Sequence, residues 1–335
     1  MEARRDVTDE PGRRTDQGKA GKGTVLVVGS ANMDLVVTCE RFLRPGETML
    51  ARDFATFPGG KGANQAVAAA RLGARVCFLG KVGRDAFRET LAEGLRRDGV
   101  RLDGLLTDPV APTGVALITV DARGENTIVV APGANGHLTP ADLDAHAALF
   151  AEATVVLVQL EIPPETVERA AALARAHDAT LVLNPAPARP LSDALLRAVD
   201  VLTPNQTEAA QLAGFPPDGT TTAEAAARQL IRRGVRSVLV TLGVDGALLV
   251  TAGVVAHYPA VPVTPVDTTA AGDAFNGALA FALADGQRLE EAVPLANAVA
   301  ALAVTRRGAQ PSMPDRAALD AFLDAGAAAT HAVAR

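Results

Sequence analysis

Short apolar runs alternate with longer amphipathic segments along most of the chain. Runs rich in β-branched residues, the pattern of buried strands, lie at 24–29, 75–80, 154–160, 180–185, 200–205 and 237–243. Ala-rich segments of helical length separate or follow them, at 63–72, 85–98, 164–176, 207–213, 222–233, 272–284, 289–304 and 315–323. Strands that alternate with helices predict an α/β fold with a doubly wound, mostly parallel sheet and helices on both faces.

Two stretches break this alternation. Residues 34–57 and 113–134 each have the pattern strand–turn–strand, with "RPGE" and "ARGEN" as the turns. Because neither stretch contains a helical segment, they predict a small separate β-sheet inserted into the main fold. The hairpins flank polar residues at the predicted strand ends, so we expect this sheet to be a lid over a binding site.

The composition is that of a globular protein, with 335 residues of which 48% are hydrophobic and 21% are charged. We predict a single domain over residues 23–335. Residues 1–22 mix both charge signs with Gly and Pro, and they predict a disordered tail without the apolar segment of a secretory signal. No apolar run is long enough to span a bilayer, so we expect no membrane partner.

Charge and cysteine content narrow the class of protein further. The net charge is −6, aromatic residues make up 3% and Trp is absent, which argues against nucleic acid as a partner. Cys39 and Cys77 have neither metal-site nor disulfide spacing and lie in apolar stretches. We therefore expect two buried free thiols and a reducing, cytoplasmic location.

Polar residues follow the predicted strands, at the edge where parallel sheets bind ligands. The stretch "GSANMD" after the first strand has one glycine where a dinucleotide fingerprint needs three, which excludes a dehydrogenase of that kind. Lys61 is followed by Gly62 and not by Ser or Thr, which excludes a Walker A loop. Asp34, Lys61 and Asn64 instead form a set of hydroxyl-binding side chains, which indicates a polyol.

The stretch "TTAAGDAFNG", residues 268–277, places small residues before one carboxylate at a predicted helix start. The N–H groups of Ala270, Ala271 and Gly272 would form an anion hole there. Phosphoryl transfer needs such a hole and a group that accepts the proton of the attacking hydroxyl, which Asp273 would supply. Taken alone, Asp273 fits a helix N-cap equally well.

Two signatures carry a resemblance to a known family. The stretches "GGKGANQAVAAARLGA" (59–74) and "DTTAAGDAFNGALAFAL" (267–283) resemble those of the ribokinase-like (PfkB-type) carbohydrate kinase family, and the likeness runs from about residue 24 to 325. The stretches "GSANMD", "VQLE", "LNPAPAR", "TPNQTEA" and "TRRGAQPS" are similar to its ribose-phosphorylating members. The resemblance implies an ATP-dependent D-ribose kinase that transfers the γ-phosphoryl group to the 5-hydroxyl and gives D-ribose 5-phosphate.

The resemblance also implies roles for individual residues. Asp273 would be the catalytic base, with Ala270, Ala271 and Gly272 as the anion hole. The sugar would be held by Asn32, Asp34, Gly60, Lys61, Asn64, Glu161 and Asp273. ATP would be bound by Asn205, Thr241, Leu242, Gly243, Val244, Asp245, Gly246, Gly272 and Asn297. Glu208, in "NQTE", would organise Mg²⁺ through water. A K⁺ site would be formed by Asp267, Thr269, Ala303, Arg306, Gly308 and Ser312.

The expected partners are therefore D-ribose and ATP, with Mg²⁺ as cofactor and K⁺ as an activating cation. Lid strands of this kind favour a homodimer that forms through the lid. A kinase for another sugar or a nucleoside, such as fructose, deoxyribose or adenosine, is one alternative, although few aromatic residues are present to hold a base. An inactive sugar-binding regulatory protein is the other, and the intact Asp273 and "NQTE" argue against it.

Overall fold

The computed structural model describes residues 23–216 and 221–333, so the predicted tail at 1–22 lies outside the described residues. The strands are β1 (Thr24–Val28), β2 (Asn32–Thr38), β3 (Asp53–Gly59), β4 (Arg75–Val82), β5 (Arg101–Thr107), β6 (Gly114–Val120), β7 (Asn126–Ala131), β8 (Val155–Gln159), β9 (Thr180–Asn184), β10 (Val201–Leu202), β11 (Ser237–Thr241), β12 (Ala247–Thr251) and β13 (Val255–Tyr258). The helices are α1 (Lys61–Arg71), α2 (Ala86–Arg97), α3 (Pro140–Ala145), α4 (Ala147–Glu152), α5 (Pro164–Ala176), α6 (Asp193–Ala198), α7 (Gln206–Leu212), α8 (Ala223–Arg232), α9 (Ala271–Ala284), α10 (Leu289–Ala303) and α11 (Arg316–Val333).

A nine-stranded sheet forms the centre of the molecule, in the order β13-β12-β11-β10-β9-β8-β1-β4-β5. Its strands are parallel from β5 to β11, and β12 and β13 join antiparallel at one edge. One apolar cluster packs α1, α9 and α10 on one face, and a second packs α5 and α8 on the other. The predicted doubly wound α/β class is confirmed.

A separate four-stranded sheet, in the order β3-β2-β6-β7, contains the two predicted strand–turn–strand stretches. Strands β2 and β3 pair antiparallel, as do β6 and β7, and a parallel pairing of β2 with β6 joins the two hairpins. The turn between β2 and β3 is a loop over residues 39–52, longer than the "RPGE" turn alone. We call this sheet, β3-β2-β6-β7, the lid.

Some elements differ from the sequence pattern. Strands β5, β12 and β13 and helices α3, α4 and α6 were not predicted, because each is short or interrupts its apolar residues with charges and glycine. Helix α1 begins at Lys61, two residues earlier than predicted, and α11 continues past residue 323.

Helices α1 and α9 pack closely, and this contact positions the site described below. A Cβ added to Gly277 of α9 would lie 2.5 Å from the Ala68 Cβ and 2.6 Å from the Gln65 carbonyl oxygen of α1. Only glycine permits this approach, which brings the N-terminal halves of the two helices together.

Cys39 and Cys77 are free and buried, as predicted. None of the described helices is both long and apolar enough to cross a membrane.

Candidate active site

A polar cavity lies between the carboxyl ends of the central strands and the inner face of the lid. Every residue predicted to hold the sugar lines it: Asn32, Asp34, Gly60, Lys61, Asn64, Glu161 and Asp273. The lid contributes an apolar side through Ala116, Ile118, Ile128 and Val130. The structure therefore brings together side chains that are up to 241 positions apart, as counted from Asn32 to Asp273.

The start of α1 is built by a glycine and a carboxylate. Gly60 has φ +87°, and a Cβ there would lie 2.7 Å from the Asn32 nitrogen, so only glycine fits. The Glu161 carboxylate accepts hydrogen bonds from the Lys61 N–H at 3.1 Å and from the Ser30 hydroxyl at 2.5 Å. Glu161 thus stabilises the N-terminus of α1 while it lines the cavity. Ser30 was not predicted, because its partner lies 131 positions away.

Several charged side chains line this cavity and shift one another's pKa values. Burial, together with Glu161 and Asp273, raises the pKa of Asp34 from 3.8 to about 7. Burial alone lowers the pKa of Lys61, but the nearby carboxylates, led by Asp273 and Glu161, outweigh it and leave that pKa raised. Lys61 is therefore the cation that faces four carboxyl groups in this cavity, those of Asp273, Glu161, Glu208 and Asp34.

Asp273 lies in the first turn of α9 and is a buried residue, 5% exposed. One donor holds each carboxylate oxygen: the Asn64 side-chain amide donates to Oδ2 and the Gln65 side-chain amide donates to Oδ1, both at 2.9 Å. Both donors come from α1, so the close packing of α1 on α9 fixes the carboxylate. Gln65 was not predicted, although it adjoins Asn64 in the first signature.

The backbone before Asp273 is the segment that was predicted to form an anion hole. Ala270 has φ +58°, a left-handed conformation that is rare for a residue with a side chain. Within the described part of the chain, the N–H groups of Ala270 and Gly272 have no hydrogen-bond acceptor, and the N–H of Ala271 donates to the Thr268 carbonyl at 3.3 Å. Two of the three predicted N–H groups are therefore free, and the N–H of Asp273, which also has no acceptor among the described residues, lies beside them at the positive end of α9.

A second, apolar cavity adjoins the first. Val244, Val261, Phe275 and Ala300 are among its lining residues. The two cavities share Thr241, Thr268, Ala271 and Gly272, so they meet at the N-terminus of α9. The N-terminus of α9 therefore borders both cavities.

Most of the predicted ATP contacts line one of these cavities, namely Asn205, Thr241, Gly243, Val244, Gly246, Gly272 and Asn297. Leu242 and Asp245 line neither. The Leu242 N–H donates to the Gly246 carbonyl at 2.7 Å, and the Asp245 carbonyl accepts from His257 at 2.7 Å, so both shape the turn. The Asn297 side-chain nitrogen donates to the Tyr258 and Pro259 carbonyls at 3.2 Å.

Asn205 and Glu208 form a capping box at the start of α7. The Glu208 carboxylate accepts from the Asn205 N–H at 2.9 Å, and the Asn205 side chain accepts from the Glu208 N–H at 2.8 Å. Both side chains also line the polar cavity. Burial raises the pKa of Glu208, partly offset by the bond from Asn205 and by Lys61. The pair therefore supplies oxygen atoms beside Lys61 and Asp273.

The two loops predicted to surround K⁺ are joined by Asp267. Its carboxylate accepts from the Thr269 N–H at 2.9 Å and from the Gly308 N–H at 2.8 Å. Burial raises the pKa of Asp267, but hydrogen bonds from the side chain and N–H of Thr269 and from the Gly308 N–H, together with Arg307, outweigh it and leave that pKa lowered. The remaining predicted ligands lie at the last residue of α10 and on the loop that follows it. The Ala303 carbonyl accepts from the Arg306 N–H at 3.1 Å, and the Ser312 hydroxyl donates to the Ala309 carbonyl at 2.8 Å.

Comparison with known proteins gives the family. Residues 22–316 match the pfkB family carbohydrate kinase profile. This chain belongs to the pfkB family of carbohydrate kinases. The ribokinase of Bacillus subtilis is 43% identical over 305 residues, which cover 89% of this chain and 99% of that protein. The structure of Arabidopsis thaliana ribokinase complexed with ribose and ATP has a TM-score of 0.84 and 35% identity, and covers 90% of this chain and 98% of that one.

Other pfkB relatives carry different names. The deoxyribokinase of Salmonella typhi is 38% identical over 291 residues, covering 87% of this chain and 95% of that protein. A bifunctional ribokinase/ribose-5-phosphate isomerase A of Fructilactobacillus sanfranciscensis is 41% identical over 297 residues. That match covers 88% of this chain but 55% of the bifunctional protein, so the chain spans about half the length of that relative.

Proposed function

We propose that this protein acts as an ATP-dependent D-ribose kinase, which transfers the γ-phosphoryl group of ATP to the 5-hydroxyl and releases D-ribose 5-phosphate. The observation that carries this proposal is the meeting of a polar and an apolar cavity at the N-terminus of α9, beside Asp273. A sugar in the first and a nucleotide in the second would place hydroxyl and phosphate together. The similar ribokinases support the choice of ribose and ATP as substrates.

The polar cavity suits a polyol because it offers both donors and acceptors. We assign the sugar contacts to Asn32, Asp34, Gly60, Lys61, Asn64 and Glu161. Within the described residues, the Asn64 side-chain oxygen is buried with no hydrogen-bond partner. A buried acceptor without a partner is costly, so a hydroxyl that donates to it is favoured in this cavity. The apolar lid residues Ile118 and Ile128 would exclude water from the bound sugar.

Asp273 is the proposed general base. It takes the proton of the 5-hydroxyl as that oxygen bonds to the γ-phosphorus, while the bond from this phosphorus to the β–γ bridging oxygen breaks and ADP leaves. The N–H groups of Ala270 and Gly272, with Ala271 beside them, stabilise the charge on the transferring group. Lys61 adds a positive charge in the same cavity.

A divalent metal accompanies ATP in kinases and neutralises charge on the phosphates. We propose Asn205 and Glu208 as the residues that hold Mg²⁺ here, through water. Their oxygen atoms suit this hard cation, which keeps much of its water shell and is usually held by few carboxylates. The capping box already uses one oxygen of each side chain, which favours contact through water over direct coordination.

We propose K⁺ as an activating cation held by carbonyl oxygens of the two loops that Asp267 joins. Asp267, Thr269, Ala303, Arg306, Gly308 and Ser312 would form the site. Its support is the position of the first loop, which runs from Asp267 directly into Ala270 and the anion hole. A cation there would hold the backbone of the hole in place before the reaction begins.

We propose a homodimer that forms through the lid. Strand β7 is an edge strand, and all its residues are exposed. Leu117 and Val129 pair across β6 and β7 and are 50% and 65% exposed. An exposed edge with apolar residues is typical of a surface that pairs with another chain. Sedimentation analysis tests this: the wild type should be a dimer, and Val129→Lys should be a monomer.

We also propose a cytoplasmic location for this activity. The two free, buried thiols, Cys39 and Cys77, fit a reducing compartment.

We propose in addition that residues 23–335 act as one kinase domain into which the lid is inserted, since lid residues Ala116 and Val130 line the same cavity as Asp273.

Phosphorylation of 2-deoxyribose is the second candidate function, and the similarity to a deoxyribokinase favours it. The test is a panel of D-ribose, 2-deoxy-D-ribose, D-fructose and adenosine, each incubated with MgATP and purified protein while ADP release is followed. We expect the highest kcat/KM with ribose. A higher value with another member of the panel would assign the enzyme to that substrate, and no ADP release with any of them would refute a kinase.

A further inference from the structure

Behind the predicted base lies a chain of buried side-chain amides that the reaction described above does not use. Gln159 donates through Nε2 to Gln65 Oε1 at 2.6 Å. Gln65 in turn donates through Nε2 to Asp273 Oδ1 at 2.9 Å and to Asn184 Oδ1 at 3.1 Å. The chain ends where Asn184 Nδ2 donates to the Thr203 carbonyl at 3.0 Å. Gln65 is the member that contacts the base.

Both ends of this chain fix the orientation of Gln65. A carboxylate and a backbone carbonyl can only accept, so Asn184 must turn its nitrogen to Thr203 and its oxygen to Gln65. Gln65 Nε2 then faces two acceptors, on Asp273 and Asn184, and its own oxygen must accept from Gln159. A flipped Gln65 amide would set its oxygen against those of Asp273 and Asn184, which is unfavourable.

Gln65 acts on the base without access to the substrate. Its side chain is fully buried at 0% exposure, and it does not line the polar cavity, whereas its neighbour Asn64 does. Asn64 holds Oδ2 of Asp273 from the cavity side, and Gln65 holds Oδ1 from the interior. With one donor on each oxygen, the carboxylate cannot rotate without breaking a buried hydrogen bond.

We propose that Gln65 is a positioning residue for phosphoryl transfer, which holds the carboxylate of Asp273 in the orientation that accepts the proton of the sugar hydroxyl. This inference rests on the proposed function, in which Asp273 is the base. Rates of this kind depend on angstrom-scale placement of the reacting groups. Loss of Gln65 should therefore lower kcat while ribose and ATP still bind, because both ligand sites remain intact.

Gln65→Met tests this, since it keeps the length of the side chain and removes both donated hydrogen bonds. We expect kcat to fall by roughly ten- to a hundredfold, with KM for ribose and for ATP changed less than about threefold. The matched control is Gln159→Met, which removes another buried amide of the same chain but leaves the bond between Gln65 and Asp273. Its kcat should fall by less than about threefold. Thermal unfolding of each variant gives the folded fraction.

Gln65→Glu is the second variant, used also where Gln65→Met does not fold. It keeps the shape and places a carboxyl group beside Asp273, so that two carboxyl groups share one proton. The acidic limb of the kcat–pH profile should move up by about one pH unit or more. This shift requires residue 65 to contact the group that titrates as the base, which a residue that only packs in the interior would not do.

The results distinguish a failure of the proposed function from a failure of the positioning role of Gln65. A wild-type protein that produces no sugar phosphate defeats the proposed function. An active wild type with an equal kcat in Gln65→Met overturns only the positioning role, as does a Gln65→Glu profile at the wild-type pH. The positioning role is also overturned if kcat falls equally in Gln65→Met and Gln159→Met, and in each variant only in proportion to the fall in its folded fraction.

Discussion

Replacing Asp34 by Asn should make the free protein more stable at alkaline pH. The Asp34 carboxyl lies in the polar cavity near Glu161 and Asp273, and its pKa is raised from 3.8 to about 7. Below about pH 4 the group is neutral in the folded and the unfolded chain, so it costs no stability. Between pH 4 and 7 the folded chain keeps a proton that the unfolded chain releases, and stability falls as the pH rises.

The magnitude follows from the size of the pKa shift. At 1.36 kcal/mol per pKa unit, a shift from 3.8 to about 7 corresponds to roughly 4 kcal/mol lost in full above pH 7. About half of this loss of stability, ~2 kcal/mol, occurs between pH 5.5 and pH 8. An amide of the same shape carries no charge, so Asp34→Asn should gain this amount of stability over the wild type across that interval.

Urea unfolding of both proteins without ligand, at pH 5.5 and pH 8, measures this gain. Asp53→Asn, at an exposed position on strand β3 of the lid, is the control for an Asp-to-Asn change outside the cavity. The same Asp34→Asn variant should bind ribose more weakly in calorimetry, because a carboxylate accepts from two hydroxyls where an amide offers one acceptor. A stability gain that is equal at the two pH values would refute the reasoning.

Three further predictions concern the reaction and the sugar site. Asp273→Asn should keep ribose affinity in calorimetry but lose roughly 10²–10⁴ in kcat, the usual contribution of a positioned general base, and a rate within threefold of wild type would remove Asp273 from that role. In tetramethylammonium buffer of constant ionic strength, added KCl should raise kcat with little change in ribose KM, whereas equal rates would reject the K⁺ site. Asn135 donates to the Asn32 side-chain oxygen at 2.7 Å and so turns the nitrogen of that amide to the cavity. Asn135→Ala should therefore raise ribose KM by about tenfold at unchanged ATP KM, as expected for one lost hydrogen bond, and an unchanged ribose KM would contradict this.

The parts of the site that could be predicted are those with a local sequence signal. Small residues before Asp273, and glycines on both sides of Lys61, are visible within a few positions of the chain. The lid could be predicted for the same reason, since each hairpin is formed by neighbouring residues with a turn between them. Local patterns therefore predicted the residues that line the polar cavity and the inserted sheet.

The parts that could not be predicted depend on contacts between distant residues. Gln65 meets Asp273 across 208 positions, and Asn135 meets Asn32 across 103. Each is a polar residue within a segment whose pattern indicates only a helix or a loop, and its partner is decided by the packing of whole elements. The number of free N–H groups before Asp273 likewise depends on the left-handed conformation of Ala270, for which the sequence carries no signal.

The identity of the product tests the central claim most directly. Purified protein is incubated with D-ribose and MgATP, and the sugar phosphate is analysed by proton–phosphorus correlation NMR, with Asp273→Asn as the control. We predict one product, in which the phosphorus couples to the two protons on C5, together with an equal amount of ADP and almost no product from the variant. Phosphate on another carbon, or ADP with free phosphate in place of a sugar phosphate, would contradict the account.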